Sequence, residues 1–414
     1  MKTLFIFIFV SSIAYAQSGS TAVPFLMIGI SPAGNGMGQV RGSINNENAS
    51  MATFNPGLLG VQSMTNRFSA EFYLEKAPWL PGFQLSDHYL LSNSATYGSV
   101  LNDYFDLPFT TSAGIGYSET FLNLGEFVQT TDNSPDVVSK FHAYERVDAI
   151  SAGAAIQYWA MFGAGFNVKR IYSQLSSIGT AQETGIYPLT TMAFDVGTFI
   201  TVPIIPASSE HTASQSSIMF SPKLDLSISY VYSNIGKKLT YSDANQSDPL
   251  PREITAGYNI TGGIQMDFLG SQFDLIDVTL VREASDVAVK RTGINSWTYQ
   301  YGMGDILFGR NLIQGKAPVQ SELRKGLEIE LLGILTTRKG SNKSEYREYF
   351  ETEGIEMNLT GVFRLLYPLN PKVFDTPPFN FILRHLDIRI VKSSYIGTME
   401  LSGATFNGLA VTIK

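Results

Sequence analysis

The feature that most constrains this chain is a recurring alternation of apolar and polar residues that carries charges inside the alternating runs. Phe68, Ala70, Phe72 and Leu74 alternate with Ser69, Glu71, Tyr73 and Glu75. Leu224, Leu226, Ile228, Tyr230 and Tyr232 alternate with Asp225, Ser227 and Ser229. Leu327, Ile329 and Leu331 flank Glu328 and Glu330, and Leu386, Ile388 and Ile390 flank Asp387 and Arg389. Met357, Leu359 and Phe363 alternate in the same way with Glu356, Asn358 and Arg364, and Leu409, Val411 and Ile413 keep the rhythm to the end. Period two places successive side chains on opposite faces of a strand. Charges inside a strand are costly unless their face is wet or paired. A sheet with one face in lipid and the other lining a polar lumen meets both conditions, and in lipid such a sheet must close.

Composition narrows the choice between a soluble β protein and a membrane barrel. Charged residues are 16% of the 414, aromatics 12%, and glycines number 37. An ordinary soluble domain carries roughly 25% charge. Low charge, many aromatics and much glycine suit a barrel with a lipid-facing belt and aromatic rims. Cysteine is absent, so stability rests on burial and closed hydrogen bonding. The net charge of −7, with no concentrated basic face, excludes nucleic acid as a partner.

Residues 1–16 read as a secretory signal peptide. Lys2 is the positive start, Leu4 to Val10 the apolar core, and Ala14-Tyr15-Ala16 the small-residue cleavage site. The apolar core is too short to span a bilayer. Export and a barrel together give an outer-membrane expectation. The uncharged stretch from Ala149 to Val168 has nearly the length of a membrane helix. Its glycines and its period-two pattern instead predict a hairpin turning near Trp159 to Gly163.

The expected organisation is a signal peptide over 1–16, an irregular hatch or plug over 17–62, and an all-β, antiparallel transmembrane barrel of about fourteen strands over 63–414. The plug expectation comes from Gly34, Gly36, Gly38 and Gly42, with Asn55-Pro56-Gly57 after them, in a region with little alternation. Irregular backbone is tolerated inside a lumen. Polar stretches from Pro78 to Pro108, Gln129 to Asp148, Pro206 to Pro222, Lys238 to Pro251, Arg338 to Tyr349 and Tyr367 to Pro378 are expected as loops. Trp79, Phe83, Tyr89, Tyr104, Phe105 and Phe109 would pack the first of these or sit in an interface girdle, with an apolar docking surface as the alternative.

No nucleophile elbow, zinc-protease or nucleotide motif is present, and Gly34-x-Gly36-x-Gly38 reads as turn glycines. The four histidines are His88, His142, His211 and His385, and without cysteine a structural zinc site is not expected. Asp87-His88 would serve a rim hydrolase only with further groups brought to it in space. Asp243-x-Asn245-x-Ser247 lacks the glycine and glutamate of a calcium loop. The chain is therefore expected to be no enzyme and to need no cofactor or metal. Candidate lumen charges are Glu71, Glu75, Arg282, Glu328, Glu330, Arg364, Asp387 and Arg389, and Ala113, Gly114 and Gly116 would lie against the plug.

Pro24-Phe25-Leu26, Gly36-Met37-Gly38, and the run from Ala49 through Asn55-Pro56-Gly57 to Leu59 resemble the opening of the PorV/PorQ family of FadL-like outer-membrane barrels. Ser233-Asn234-Ile235-Gly236 followed by Leu250-Pro251-Arg252 is similar to a mid-barrel passage of that family. The resemblance implies about fourteen strands with an N-terminal hatch. It also implies the function: a part in type IX protein secretion or surface attachment is expected, with secreted cargo or secretion components as partners, and passive transport of hydrophobic small molecules is the alternative. Outer-membrane lipid is the surrounding partner in either case.

Overall fold

The computed structural model describes residues 21–45, 48–65, 67–83, 87–131, 134–175, 189–206, 219–240, 247–268, 271–293, 296–317, 321–344, 350–367, 376–397 and 400–414. The expected signal peptide lies outside these residues. Fourteen antiparallel strands close into a barrel. They are β1 Phe68–Tyr73, β2 Tyr89–Val100, β3 Thr110–Thr131, β4 Ser134–Gln157, β5 Met161–Gln174, β6 Leu189–Ile205 and β7 Met219–Gly236. The second half is β8 Glu253–Phe268, β9 Ser271–Val287, β10 Ser321–Leu331, β11 Leu335–Lys343, β12 Phe350–Asn358, β13 Leu386–Ile396 and β14 Thr405–Ile413. Each strand pairs with its sequence neighbour, and β1 closes the ring by pairing with both β14 and β2. The short strand Ala77–Pro78 also pairs with β2.

Two rims follow from this order. The terminal rim carries Phe68, Ile413 and Lys414, and the far rim lies at the other end of the strands. Strands β10 to β14 have 11, 9, 9, 11 and 9 residues. That is the length a tilted strand needs to cross a bilayer, about 9–11 residues. Strands β3 and β4, with 22 and 24 residues, are far longer, so their hairpin projects beyond the far rim. The outer face is apolar: Ile115, Ile150, Phe162, Phe166, Phe194, Ile200, Ile228, Leu280, Leu335, Ile355 and Ile390 are all exposed. A belt of that extent on a closed barrel is a lipid-facing surface. Among the described residues no helix is long and apolar enough to cross a membrane.

Several expected loops are strand. Tyr89–Val100, inside the expected Pro78–Pro108 loop, is β2; its inward positions are Ser92, Ser94 and Thr96, too weakly polar to show an alternation. The stretch from Gln129 to Asp148 is mostly in β3 and β4; its buried Ala143, Glu145 and Val147 and the interleaved Tyr144, Arg146 and Asp148 mix apolar and polar groups on both faces, so no hydrophobic period shows. Residues Arg338 to Lys343 complete β11, whose outward Lys339 and Lys343 hide it. Pro222 lies within β7, and Leu239–Thr240 pairs with Ser247–Asp248. Most of the rest of those two expected loops, 207–218 and 241–246, lies outside the described residues, as does 368–375. The hairpin across 149–168 turns at 158–160.

The apparent alternation after Met357 is not strand either. Leu359–Leu366 is a helix, capped by the Asn358 side chain, which accepts from the Thr360 and Gly361 N–H groups. It is joined at the terminal rim by a second helix, Pro377–His385.

Candidate functional site

Residues 21–45 and 48–65 lie inside the barrel. They form a 3-10 turn, Pro24–Met27, and three short helices: α1 Pro32–Gly36, α2 Met51–Phe54 and α3 Gly57–Gln62. Ser31 caps α1 by accepting from the Gly34 N–H. Met37, Val40, Ile44, Met51, Leu58 and Val61 pack with Ala155, Phe199 and Val281 of the wall. The backbones meet almost without side chains between them. A Cβ on Gly340 of β11 would fall 2.1 Å from the Gly38 nitrogen, and Gly38 itself has φ +78°. Only glycine satisfies both demands.

The opening motif residues take their places in this segment. Phe25 and Leu26 are buried in a cluster with Tyr73, Leu90, Tyr395 and Phe406, while Pro24 is exposed. Gly36 faces the Gly354 backbone, Met37 is fully buried, and the Gly38 N–H donates to Thr352 Oγ1 at 2.7 Å. The Asn55 amide donates to the Gly42 carbonyl at 2.9 Å and to Thr198 of β6 at 3.1 Å, and its oxygen accepts from the Gly57 N–H. The Pro56 carbonyl abuts Gly153 and Gly165, where a Cβ would clash. Gly114 similarly meets Ser63, whereas Gly116 faces Thr96 of the neighbouring strand.

Charges tie the segment to the wall. The Arg41 guanidinium donates to both oxygens of Glu253 at 2.8 and 2.7 Å. Glu283 accepts from the Arg41 and Gly42 N–H groups and from the Ser43 hydroxyl. Arg324, fully buried, bridges Glu283 at 3.1 Å and Glu322 at 2.5 Å. Farther round the wall, on β5 and β6, Lys169 pairs with Asp195 at 2.7 Å, and Asn167 links Asp195 to the Thr53 carbonyl.

The candidate lumen charges divide. Glu71 points inward and accepts from the Ser50 backbone and hydroxyl. Glu328 pairs with Arg338 at 2.6 Å, and Arg389 meets Glu356 at 3.2 Å beside Arg338. Glu330 shares that face with Glu328 and Arg389. Arg364 is on the Leu359–Leu366 helix, not in a strand, and holds Asp387 at 2.6 Å together with Lys414 at 3.0 Å. Glu75 lies beyond the end of β1, is exposed, and accepts from Asn407. Arg282 is a correction: it faces outward, where it donates to the Leu312 carbonyl at 3.0 Å. Its neighbour Glu283 is the lumen charge.

Arg41, Glu253, Glu283, Arg324, Arg338, Glu356, Lys169 and Asp195 are missing from the sequence-based set. The available signal was inward register: Glu253 and Glu283 occupy wall positions whose strand neighbours two residues on are also inward. Asp87 and His88 precede β2, and His142 lies on the projecting hairpin 3.8 Å from Glu126. Among the described residues no three metal-binding side chains cluster.

Above the segment, toward the far rim, is a cavity of about 950 Å³. Ala22, Val23, Phe25 and Ile28 form its floor; Trp79, Leu122, Leu124, Phe350 and Leu401 are on its walls. Its polar lining includes Gln39 and Asn342 and four carboxylates, Glu145, Asp248, Glu322 and Glu400. Tyr395 contributes its ring and is tied through its hydroxyl to the Gln39 amide at 2.7 Å. The arrangement is an apolar floor and walls with polar groups set among them, the usual character of a pocket for a small organic ligand.

No family model matches the chain. No curated protein matches it either. Among solved structures, the toluene transporter TbuX of Ralstonia pickettii is similar over 94% of this chain and 99% of that one, at 12% identity and a TM-score of 0.46. The toluene transporter TodX of Pseudomonas putida is similar over 93% and 97%, at 10% identity and a TM-score of 0.42. The β domain of the Bordetella autotransporter BrkA is similar over 84% and 99%, at 7% identity and a TM-score of 0.34. Likenesses of this strength carry no argument about ligand or partner, which leaves function to the residues of the chain itself.

Proposed function

We propose that this protein is a non-catalytic outer-membrane channel that takes up small hydrophobic molecules at its far rim. The observation that carries the reading is the apolar cavity whose floor is the N-terminal segment. A molecule that partitions into it leaves water, at about 25 cal/mol for each Å² of apolar surface buried. Onward movement is blocked by residues 21–45 and 48–65, so passage requires that segment to shift as a plug. The far rim then faces outward from the cell, because the longest hairpin projects there and both ends of the barrel sequence lie at the other rim.

Trp79 lines the cavity and supplies the test. In a Trp159→Phe/Trp297→Phe background, Trp79 fluorescence should change saturably as naphthalene is titrated into the detergent-solubilised protein. A Phe25→Asp change in the floor should weaken that response about tenfold or more, because it puts a charge in an apolar site. A flat titration would remove the reading. The secretion function implied by the opening motifs is then the one to pursue, with the projecting β3–β4 hairpin as a surface for a protein partner.

A further inference from the structure

The outer wall of a lipid-facing barrel is expected to be apolar, and on the far-rim half of β10 to β13 it is not. Cross-strand register gives the outward-facing residues in rows. One row, Leu331, Leu335, Met357 and Ile390, is wholly apolar. Below it, at the terminal rim, the helices Leu359–Leu366 and Pro377–His385 expose Phe363, Leu366 and Phe381 and extend the apolar surface downward. Above it the rows change character. Ile329, Thr337, Ile355 and Lys392 form the next row, then Leu327, Lys339, Glu353 and Ser394. Higher still are Lys325, paired in register with Arg282, and Lys343. The membrane's apolar depth on this side is therefore displaced toward the terminal rim. The cations stand where head groups of the far leaflet would lie.

These rows are also indented. A groove of about 500 Å³ is lined by Leu327, Ile329 and Ile355 together with Lys339, Glu353 and Lys392. Glu353 accepts from the Ser394 hydroxyl at 3.3 Å. Among the described residues neither Lys339 nor Lys392 has an ion-pair partner. On the outward face of β10 to β13 four lysines (Lys325, Lys339, Lys343 and Lys392) stand against two carboxylates, Glu351 and Glu353. A second copy of the chain would bring the same positive excess and be repelled, so the complementary occupant is an anion with an apolar tail.

We propose that this groove binds one phosphate-bearing lipid of the surrounding membrane. Its phosphate is held between the Lys339 and Lys392 ammonium groups, and an acyl chain lies along Leu327, Ile329 and Ile355. Lysine suits such a site because its aliphatic stem stays on apolar surface while its charge reaches the head-group level. The inference rests on the membrane setting of the barrel and not on what passes through it.

The test is native mass spectrometry of the full chain released from phosphatidylcholine bilayers prepared with or without phosphatidic acid. The wild-type protein should retain one phosphatidic acid. Lys339→Gln/Lys392→Gln should retain it about tenfold less or weaker still, the loss of two near-surface charges. Lys339→Arg/Lys392→Arg should restore retention, which a purely structural role for the lysines would not require. Lys140→Gln, on the exposed hairpin, should behave as wild type. Equal retention by the wild type and the double glutamine variant, or equal retention of phosphatidylcholine, would overturn the proposal.

Discussion

Glu283 shows how much of the interior rests on single side chains. Its two oxygens accept from two backbone N–H groups and a hydroxyl of the N-terminal segment and from Arg324 of the wall. Removing one member of a buried, hydrogen-bonded charge set leaves the others uncompensated, at a cost of about 3–5 kcal/mol. Glu283→Ala should lose that much in urea unfolding of the solubilised barrel, while Glu75→Ala, an exposed change at the far rim, should stay within about 0.5 kcal/mol. The sequence located the charged strands but chose Arg282 over Glu283. Alternation separates two faces without saying which is inside. On β9 the outward face is also polar near the rim, because Arg282 is covered by the backbone carbonyl of Leu312. That cover comes from a segment distant in sequence, so no local pattern announces it.

That cover is an element in its own right. Residues 296–317 fold back on the outer wall, where Ile306 and Leu312 bury Ile254, Ala256, Ala284 and Leu323. The Phe308–Ile313 turn exposes Leu307, Phe308 and Ile313 to the surroundings. The strap is fastened by Lys290 to Asp305 and by the Asp286 side chain to the Asp305 N–H. Partial burial pushes the Asp305 carboxyl up, but hydrogen bonds from Lys290 and Gln300 outweigh it and hold the group below the usual carboxylate range. A depressed folded value means the fastening is fully present above the unfolded carboxylate value of about 3.9 and is lost as pH falls through the folded value. Proteolysis of the strap should therefore be slow at neutral pH and accelerate only below about pH 4, and Asp305→Asn should give the fast rate at neutral pH. Elements of this kind were the least legible. The strap, the β3–β4 hairpin and the Leu359–Leu366 helix all depart from the one-face-wet pattern that made β1, β7, β10 and β13 readable. The helix shows the ambiguity best: Leu359 and Phe363 fit period two and a helical turn equally, and the Asn358 cap decides.

At the scale of the molecule, the closed ring and the filled lumen follow from one requirement, that no backbone polar group be left open to lipid or to an empty interior. The strands satisfy one another around the ring, and the N-terminal segment satisfies itself and the wall through Asn55, Ser50 and Gly38. The glycine-rich opening of the chain made an internal segment foreseeable. Its pairing partners were not, since Gly38 and Thr352 lie more than three hundred residues apart in sequence. The central functional claim is that this segment must move for a hydrophobic molecule to leave the cavity. Pro32 of α1 and Gly408 of β14 offer a way to stop it: a Cβ on Gly408 would lie 3.7 Å from the Pro32 Cβ. That is within the usual disulfide range of about 3.5–4.5 Å. The chain has no other cysteine to interfere. The most direct measurement is uptake of naphthalene into liposomes containing the Pro32→Cys/Gly408→Cys variant, oxidised and then reduced. The account expects uptake near background when oxidised and a wild-type rate after reduction. Uptake at the wild-type rate with the disulfide intact would contradict it.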